Sequence, residues 1–170
     1  LKIDNINVLR WVAEKKKYPV LIKPGRYVVE RGTSCNELIN ILRAGKQAPV
    51  MVTFNNIRTI YDLAGIVGGR IEADSAQIAA FLSDQENYRS DGFVRNNIIS
   101  VFIPDSYEFY WNTGAGEFYL RMLKEYRRFW NPDRLRKARE INLTPIEVSV
   151  LASIIDQEAA RTEEKPVIAG

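Results

Sequence analysis

The run Thr144-Pro145-Ile146-Glu147 fixes a helix start more firmly than any other stretch of this 170-residue chain. Thr144 suits the N-cap, Pro145 the first helical position, where a missing N–H is no loss, and Glu147 completes a reciprocal capping box. From there, at roughly 100° per residue, Val148, Leu151, Ile154 and Ile155 share the side expected to face inward. Glu158 comes in line with that stripe. Asp156, about 140° round from Leu151, turns elsewhere with Ser149, Ala152, Ser153 and Ala160. A carboxyl on an apolar face has its ionised form disfavoured and its pKa raised, which suits a general acid near neutral pH. On periodicity alone, the other reading is that Glu158 ends the stripe in solvent, paired with Arg161 or Lys165.

Composition removes several chemistries. The chain has no histidine, so a Ser-His-Asp triad, a Cys-His pair and a histidine-held metal are excluded within it. Cys35 is the single cysteine, which excludes an internal disulfide and a cysteine-based zinc cluster; it is expected to be buried on a helix. With 46% hydrophobic and 26% charged residues the chain reads as globular, and its formal charge of +3 permits an acidic partner without demanding one. No run approaches the ~20 apolar residues of a membrane span and no signal peptide is visible. The sequence starts and stops mid-pattern and is expected to be a piece of a longer protein.

Taken in order, Asn5 to Lys17 reads as a helix with Ile6, Leu9, Val12 and Ala13 inward, ended by three lysines and Pro19. A Pro24-Gly25 turn leads to a short strand at Tyr27-Val28-Val29. Thr33 or Ser34 caps a helix carrying Leu38, Ile41 and Leu42 and closed by Gly45; Val50 to Phe54 is a second strand. This group is expected to form a two-stranded sheet with helices on one side. Thr59 caps Ile60 to Val67, which stops at Gly68-Gly69; lacking the Lys-Ser/Thr of a phosphate loop, the pair reads as a helix end. Asp74 or Ser75 caps the next helix, and a polar stretch runs to an Asp91-Gly92 turn. The aromatic segment Pro104 to Trp111 either lines a cleft, where sugars stack on flat faces, or is core. Ala115 to Trp130 is amphipathic, with Tyr119, Met122, Leu123, Tyr126 and Trp130 on one side. Its outer face and the next helix, starting at Pro132, carry eight basic and four acidic residues between Gly114 and Glu140. That is either a solvated face or a weak nucleic-acid footprint.

Three ordered stretches resemble the endolytic murein transglycosylases, the MltG or YceG-like family. Leu151 to Glu158 resembles that family's catalytic-helix signature, continued by Glu164 to Gly170. Phe102-Ile103-Pro104-Asp105-Ser106-Tyr107-Glu108-Phe109 is similar to its aromatic Pro-Asp-Thr/Ser-Tyr segment. Lys23 to Tyr27, Leu38 to Gly45 and Val50 to Phe54 resemble its LysM-like module. The chain departs from the family at Ile99-Ser100, where Glu-Gly is common. The resemblance implies an α+β chain: a small LysM-like α/β module with a helical appendage over residues 1–97, then over 98–170 the mainly helical first part of a lysozyme-like transglycosylase domain. That domain continues past Gly170 in the family, so this chain alone is expected to lack part of the cleft and to be inactive.

The implied activity is a lyase reaction on peptidoglycan: cleavage of the MurNAc-β-1,4-GlcNAc bond with a 1,6-anhydro-MurNAc end, terminating nascent glycan strands. One carboxyl suffices, because the sugar's own 6-hydroxyl attacks intramolecularly after the acid protonates the leaving oxygen. The resemblance makes Glu158 the catalytic residue, with Asp105 and Tyr107 as substrate contacts; no metal or organic cofactor is required. It further implies glycan strands and cell-wall synthesis proteins as partners, no nucleic acid, and a single-pass anchor in the cytoplasmic membrane, N-terminal to this chain, holding it on the wall-facing side. The competing reading is a non-catalytic peptidoglycan-binding or scaffold protein; a third is a basic nucleic-acid-binding module, which steep salt dependence would reveal.

Overall fold

The computed structural model describes residue 3 and residues 5–158, with side chains as far as residue 156. Side-chain caps start most of the helices. Asn5 caps α1 (Ile6–Lys15) by accepting from the Val8 amide, and Ser34 caps α2 (Cys35–Ala44), which Gly45 closes in the left-handed region. These two helices pack on each other and bury Val12, Leu38 and Ile39. Cys35, at the first position of α2, is half-exposed rather than buried.

Strand β1 (Val50–Phe54) is followed by α3 (Ile60–Gly68) and α4 (Ser75–Ser83), each started by a full capping box, Thr59 with Asp62 and Asp74 with Gln77. Gly68 and Gly69 do end a helix. A β-carbon on Gly68 would lie 2.2 Å from the Ser75 nitrogen, so the residue is glycine because the start of α4 crosses it. Short 3-10 turns lead to β2 (Asp105–Phe109), α5 (Ala115–Phe129), α6 (Pro132–Glu140) and α7 (Pro145–Glu158).

The sheet differs from the expected one. Tyr27-Val28-Val29 carries no regular structure, and β1 pairs instead with β2, antiparallel, with Val50 opposite Phe109, Val52 opposite Tyr107 and Phe54 opposite Asp105. The reason is side-chain mass. β2 brings Tyr107 and Phe109 over the buried Val52 and Phe54, whereas the Val28 side chain stays in solvent. Residues 26–30 are hydrogen-bonded to the strand's approach by the Ala48 amide to the Arg26 carbonyl, 2.8 Å, and the Arg26 guanidinium to the Pro49 carbonyl, 3.2 Å. The fold is α+β, helices with a small two-stranded sheet.

The main core draws β1, α3 and α4 from one side of residue 98 and β2, α5 and α6 from the other. Phe118, fully buried, stacks on Phe102 at 5.7 Å and leans on Phe109 at 5.3 Å. The rings of Phe102, Tyr107 and Phe109 are thus core, whereas Tyr110 and Trp111 reach the surface. The basic outer face of α5 and α6 is laced with ion pairs: Arg121 to Glu125, Arg127 to Asp91 at 2.9 Å and Arg136 to Asp133 at 2.7 Å. A solvated face is the reading those pairs favour.

Candidate functional site

Helix α7 begins as its sequence requires. The Thr144 amide and hydroxyl both donate to the Glu147 carboxylate at 2.8 Å, and the Glu147 amide returns a bond to the Thr144 hydroxyl at 3.3 Å. Those bonds hold the Glu147 carboxyl below its usual range, the backbone amide of Thr144 contributing most. Ile146 and Val148 then pack against the core, and the Ser149 hydroxyl folds back on the Pro145 carbonyl at 2.9 Å.

Past that anchor the helix departs from its expected burial. Of the four stripe residues only Val148 and Ile155 are half-buried; Leu151 is 40% and Ile154 51% exposed, and Val150 is exposed as well. Periodicity reports which residues share a face. It does not report what covers that face. Here α7 touches α6 and the 3-10 turn Ile98–Val101 along one flank.

Between these elements runs a groove of about 1260 Å³. Val148 to Val150, then Ala152 to Asp156, form one wall; Ile99, Ser100 and Phe102 to Pro104 form the facing one. Asn55, Asn56 and Ile57, with Phe129, Trp130, Arg134, Lys137, Ala138 and Ile141, complete the surround. Its volume exceeds the roughly 300–1,000 Å³ of small-molecule pockets and suits a segment of polymer. The lining is largely apolar, with hydroxyls from Ser100, Ser149 and Ser153, amides from Asn55 and Asn56, and two cations. The Arg134 guanidinium lies 4.0 Å from the Phe129 ring centroid and donates to the Phe129 carbonyl at 2.8 Å, so it is fixed in the surround. Lys137 reaches Asp133 at 3.5 Å.

The residues expected to act are placed as follows. Glu158 is the last residue of α7, and its side chain lies outside the described residues. The groove wall extends to Asp156, two positions before it, and includes Ile154 and Ile155, although Leu151 stands outside the groove. Asp105 is exposed at the start of β2, directly after the groove residue Pro104, and its carboxylate accepts from the Ser106 amide at 2.7 Å. Tyr107 is buried against Phe54, ring centroids 5.3 Å apart. Its hydroxyl donates to the carbonyl of Ile103, a groove residue, at 2.7 Å. Burial, with the nearby Asp105 and Glu125 charges behind it, raises the Tyr107 phenol to about 12, so it stays a neutral donor. Asp105 thus follows the groove residue Pro104 in sequence, and Tyr107 reaches the groove through the Ile103 carbonyl that it holds.

Sequence reasoning missed Asn55, Asn56, Phe129 and Arg134 as parts of the surround. Asn56 sits at φ 50°, a left-handed turn that the Asn55-Asn56 pair after a strand could have signalled. Arg134 carried no such signal. The departure at Ile99-Ser100 falls in the groove wall itself.

No curated protein matches this sequence. Among solved structures, a protein of Listeria monocytogenes described as yceG-like superposes with a TM-score of 0.59 at 15% identity, over 95% of this chain and 58% of that one. The present chain thus spans little more than half the length of that structure, and the likeness concerns the fold. A model of the YceG-like family matches residues 2–170, and the chain belongs to that family.

Proposed function

We propose that this chain is part of an endolytic peptidoglycan lytic transglycosylase that cleaves the MurNAc-β-1,4-GlcNAc bond and leaves a 1,6-anhydro-MurNAc end. The observation that carries this reading is the relation of α7 to the groove: the helix ending at Glu158 forms one wall of a cleft large enough for a glycan segment. In this reading Glu158 protonates the leaving glycosidic oxygen, and its carboxylate then takes the proton of the attacking 6-hydroxyl. Because the attack is intramolecular, proximity replaces the second carboxylate that a hydrolase uses to activate water. The apolar walls favour a neutral acid, and the serine and asparagine groups around them offer hydrogen bonds to sugar hydroxyls. Asp105 would meet the strand at the groove's edge. A LysM-like, glycan-contacting role for the first part of the chain rests on the resemblance of Lys23 to Tyr27, Leu38 to Gly45 and Val50 to Phe54, and wall-facing placement behind an N-terminal anchor belongs to the same proposal.

The experiment compares the full-length protein with its Glu158→Gln variant on purified peptidoglycan, with anhydro-muropeptides read by mass spectrometry. The parent should release them and the variant should not; undiminished release would take Glu158 out of the mechanism. One observation favours a second reading, a scaffold that docks other cell-wall proteins: Val150, Leu151 and Ile154 leave part of α7 apolar and open. Retention of glycan strands without any anhydro product from the parent protein would select it.

A further inference from the structure

The turn that follows α1 presents apolar side chains that none of the described residues buries. Val20 is 82% exposed, Ile22 63% and Leu21 44%, and none of the three joins the core. They are held outward rather than loose: Lys17 takes a left-handed conformation at φ 54°, and the Leu21 amide closes a 3-10 turn on the Tyr18 carbonyl at 2.8 Å. On the preceding helix, α1, Trp11 is 60% exposed, with the Lys15 ammonium 5.5 Å from its ring centroid.

The charge along this stretch is predominantly basic. Arg10, Lys15, Lys16, Lys17, Lys23 and Arg26 stand against the single carboxylate Glu14 within residues 10–26. Three of these cations are already engaged, Lys16 with the Asn40 side chain, Lys23 with the Ala44 carbonyl at 3.4 Å and Arg26 with the Pro49 carbonyl at 3.2 Å. Three adjacent aliphatic residues, a tryptophan and a lysine cluster are the elements with which a protein enters the boundary between acyl chains and anionic headgroups. A second copy of this chain would bring the lysines against one another, and a nucleic acid would leave the aliphatic residues in water. Charge complementarity therefore selects an anionic lipid surface.

We propose that Val20–Ile22, with Trp11, Lys15 and Lys17, docks on the surface of an anionic bilayer. The contact is interfacial: among the described residues, no helix is long and apolar enough to cross a membrane. It does not depend on the reading of the groove.

The test is co-sedimentation of the full chain with vesicles of phosphatidylcholine alone or of equimolar phosphatidylcholine and phosphatidylglycerol, at low and high salt. The chain should be retained on the mixed vesicles at low salt and released by salt. With each cluster lysine worth about 1 kcal/mol near such a surface, Lys15→Glu with Lys17→Glu should weaken binding at least about tenfold. Val20→Asp with Ile22→Asp should abolish it while circular dichroism stays unchanged, because both side chains are exposed. Failure of the parent to bind, or equal binding by the aspartate variant, overturns the proposal. So does concentration-dependent dimerisation that the aspartate variant abolishes, which would assign the turn to a second copy.

Discussion

The Tyr107 hydroxyl spans 2.7 Å to the carbonyl of Ile103, tying the strand that completes the sheet to the wall of the groove. Replacing Tyr107 by Phe keeps the ring against Phe54 and removes only this bond. The part-buried carbonyl then loses its phenol donor, and stability should fall by about 1–3 kcal/mol. Urea unfolding measures the loss. A variant as stable as the parent would show that the bond contributes nothing.

Alkali should unfold the protein through its buried phenols. Burial raises Tyr107 to about 12 and also raises Tyr88, Tyr119 and Tyr126 above the ordinary value of 10.0; Tyr119 is raised further by its bond to the Asp91 carboxylate. The unfolded chain loses these protons first, so their contribution is complete below pH 10 and lost as pH climbs through the folded values. Thermal melts should therefore drop steeply between pH 10 and about 12, and less steeply in Tyr107→Phe. A flat profile over that range would contradict the burial of these rings.

Gly68 and Gly69 should respond oppositely to alanine. At Gly68 the new methyl would meet backbone, the Ser75 nitrogen at 2.2 Å and the Asp74 carbonyl carbon at 2.7 Å, so α3 and α4 must separate. We expect a loss of about 1–3 kcal/mol or more. At Gly69 the nearest atom would be the Gly65 oxygen at 4.0 Å, and φ is −84°, so alanine should be tolerated or slightly stabilising. Paired denaturation curves decide it.

The start of α7 should weaken when its cap is removed. Thr144→Ala deletes the hydroxyl that bonds both the Glu147 amide and carboxylate, at a cost of about 1 kcal/mol. Because the Glu147 carboxyl is depressed, its contribution is present above the ordinary value of 4.5 and lost as pH falls through the folded one. An NMR titration should find Glu147 below 4.5 in the parent and closer to it in Thr144→Ala.

Phe118→Ala should be the most damaging of these substitutions. The ring is fully buried between Phe102 and Phe109, and its removal leaves a cavity that two strand- and turn-borne rings cannot fill. Large aromatic truncations of this kind cost about 3–5 kcal/mol. Calorimetry should show the corresponding fall in melting temperature.

Local chemistry was legible from the residues alone. Thr59 and Thr144 cap the helices their spacing announces, and the structure chooses Ser34 over Thr33 and Asp74 over Ser75, because a cap is settled among four neighbouring residues. The amphipathic face of α5 was legible for the same reason: its period survives whatever packs against it. What tertiary structure alone decided was pairing and cover. Residues 50–54 and 105–109 meet across a long stretch of chain, and β1 took Tyr107 and Phe109 as partners over the nearer Tyr27 to Val29 because they bury more apolar surface. Likewise the stripe on α7 named a face, but its open outer half, and the groove along it, follow from where α6 and the Ile98–Val101 turn stop. Periodicity is a property of one helix; burial is a property of its neighbours.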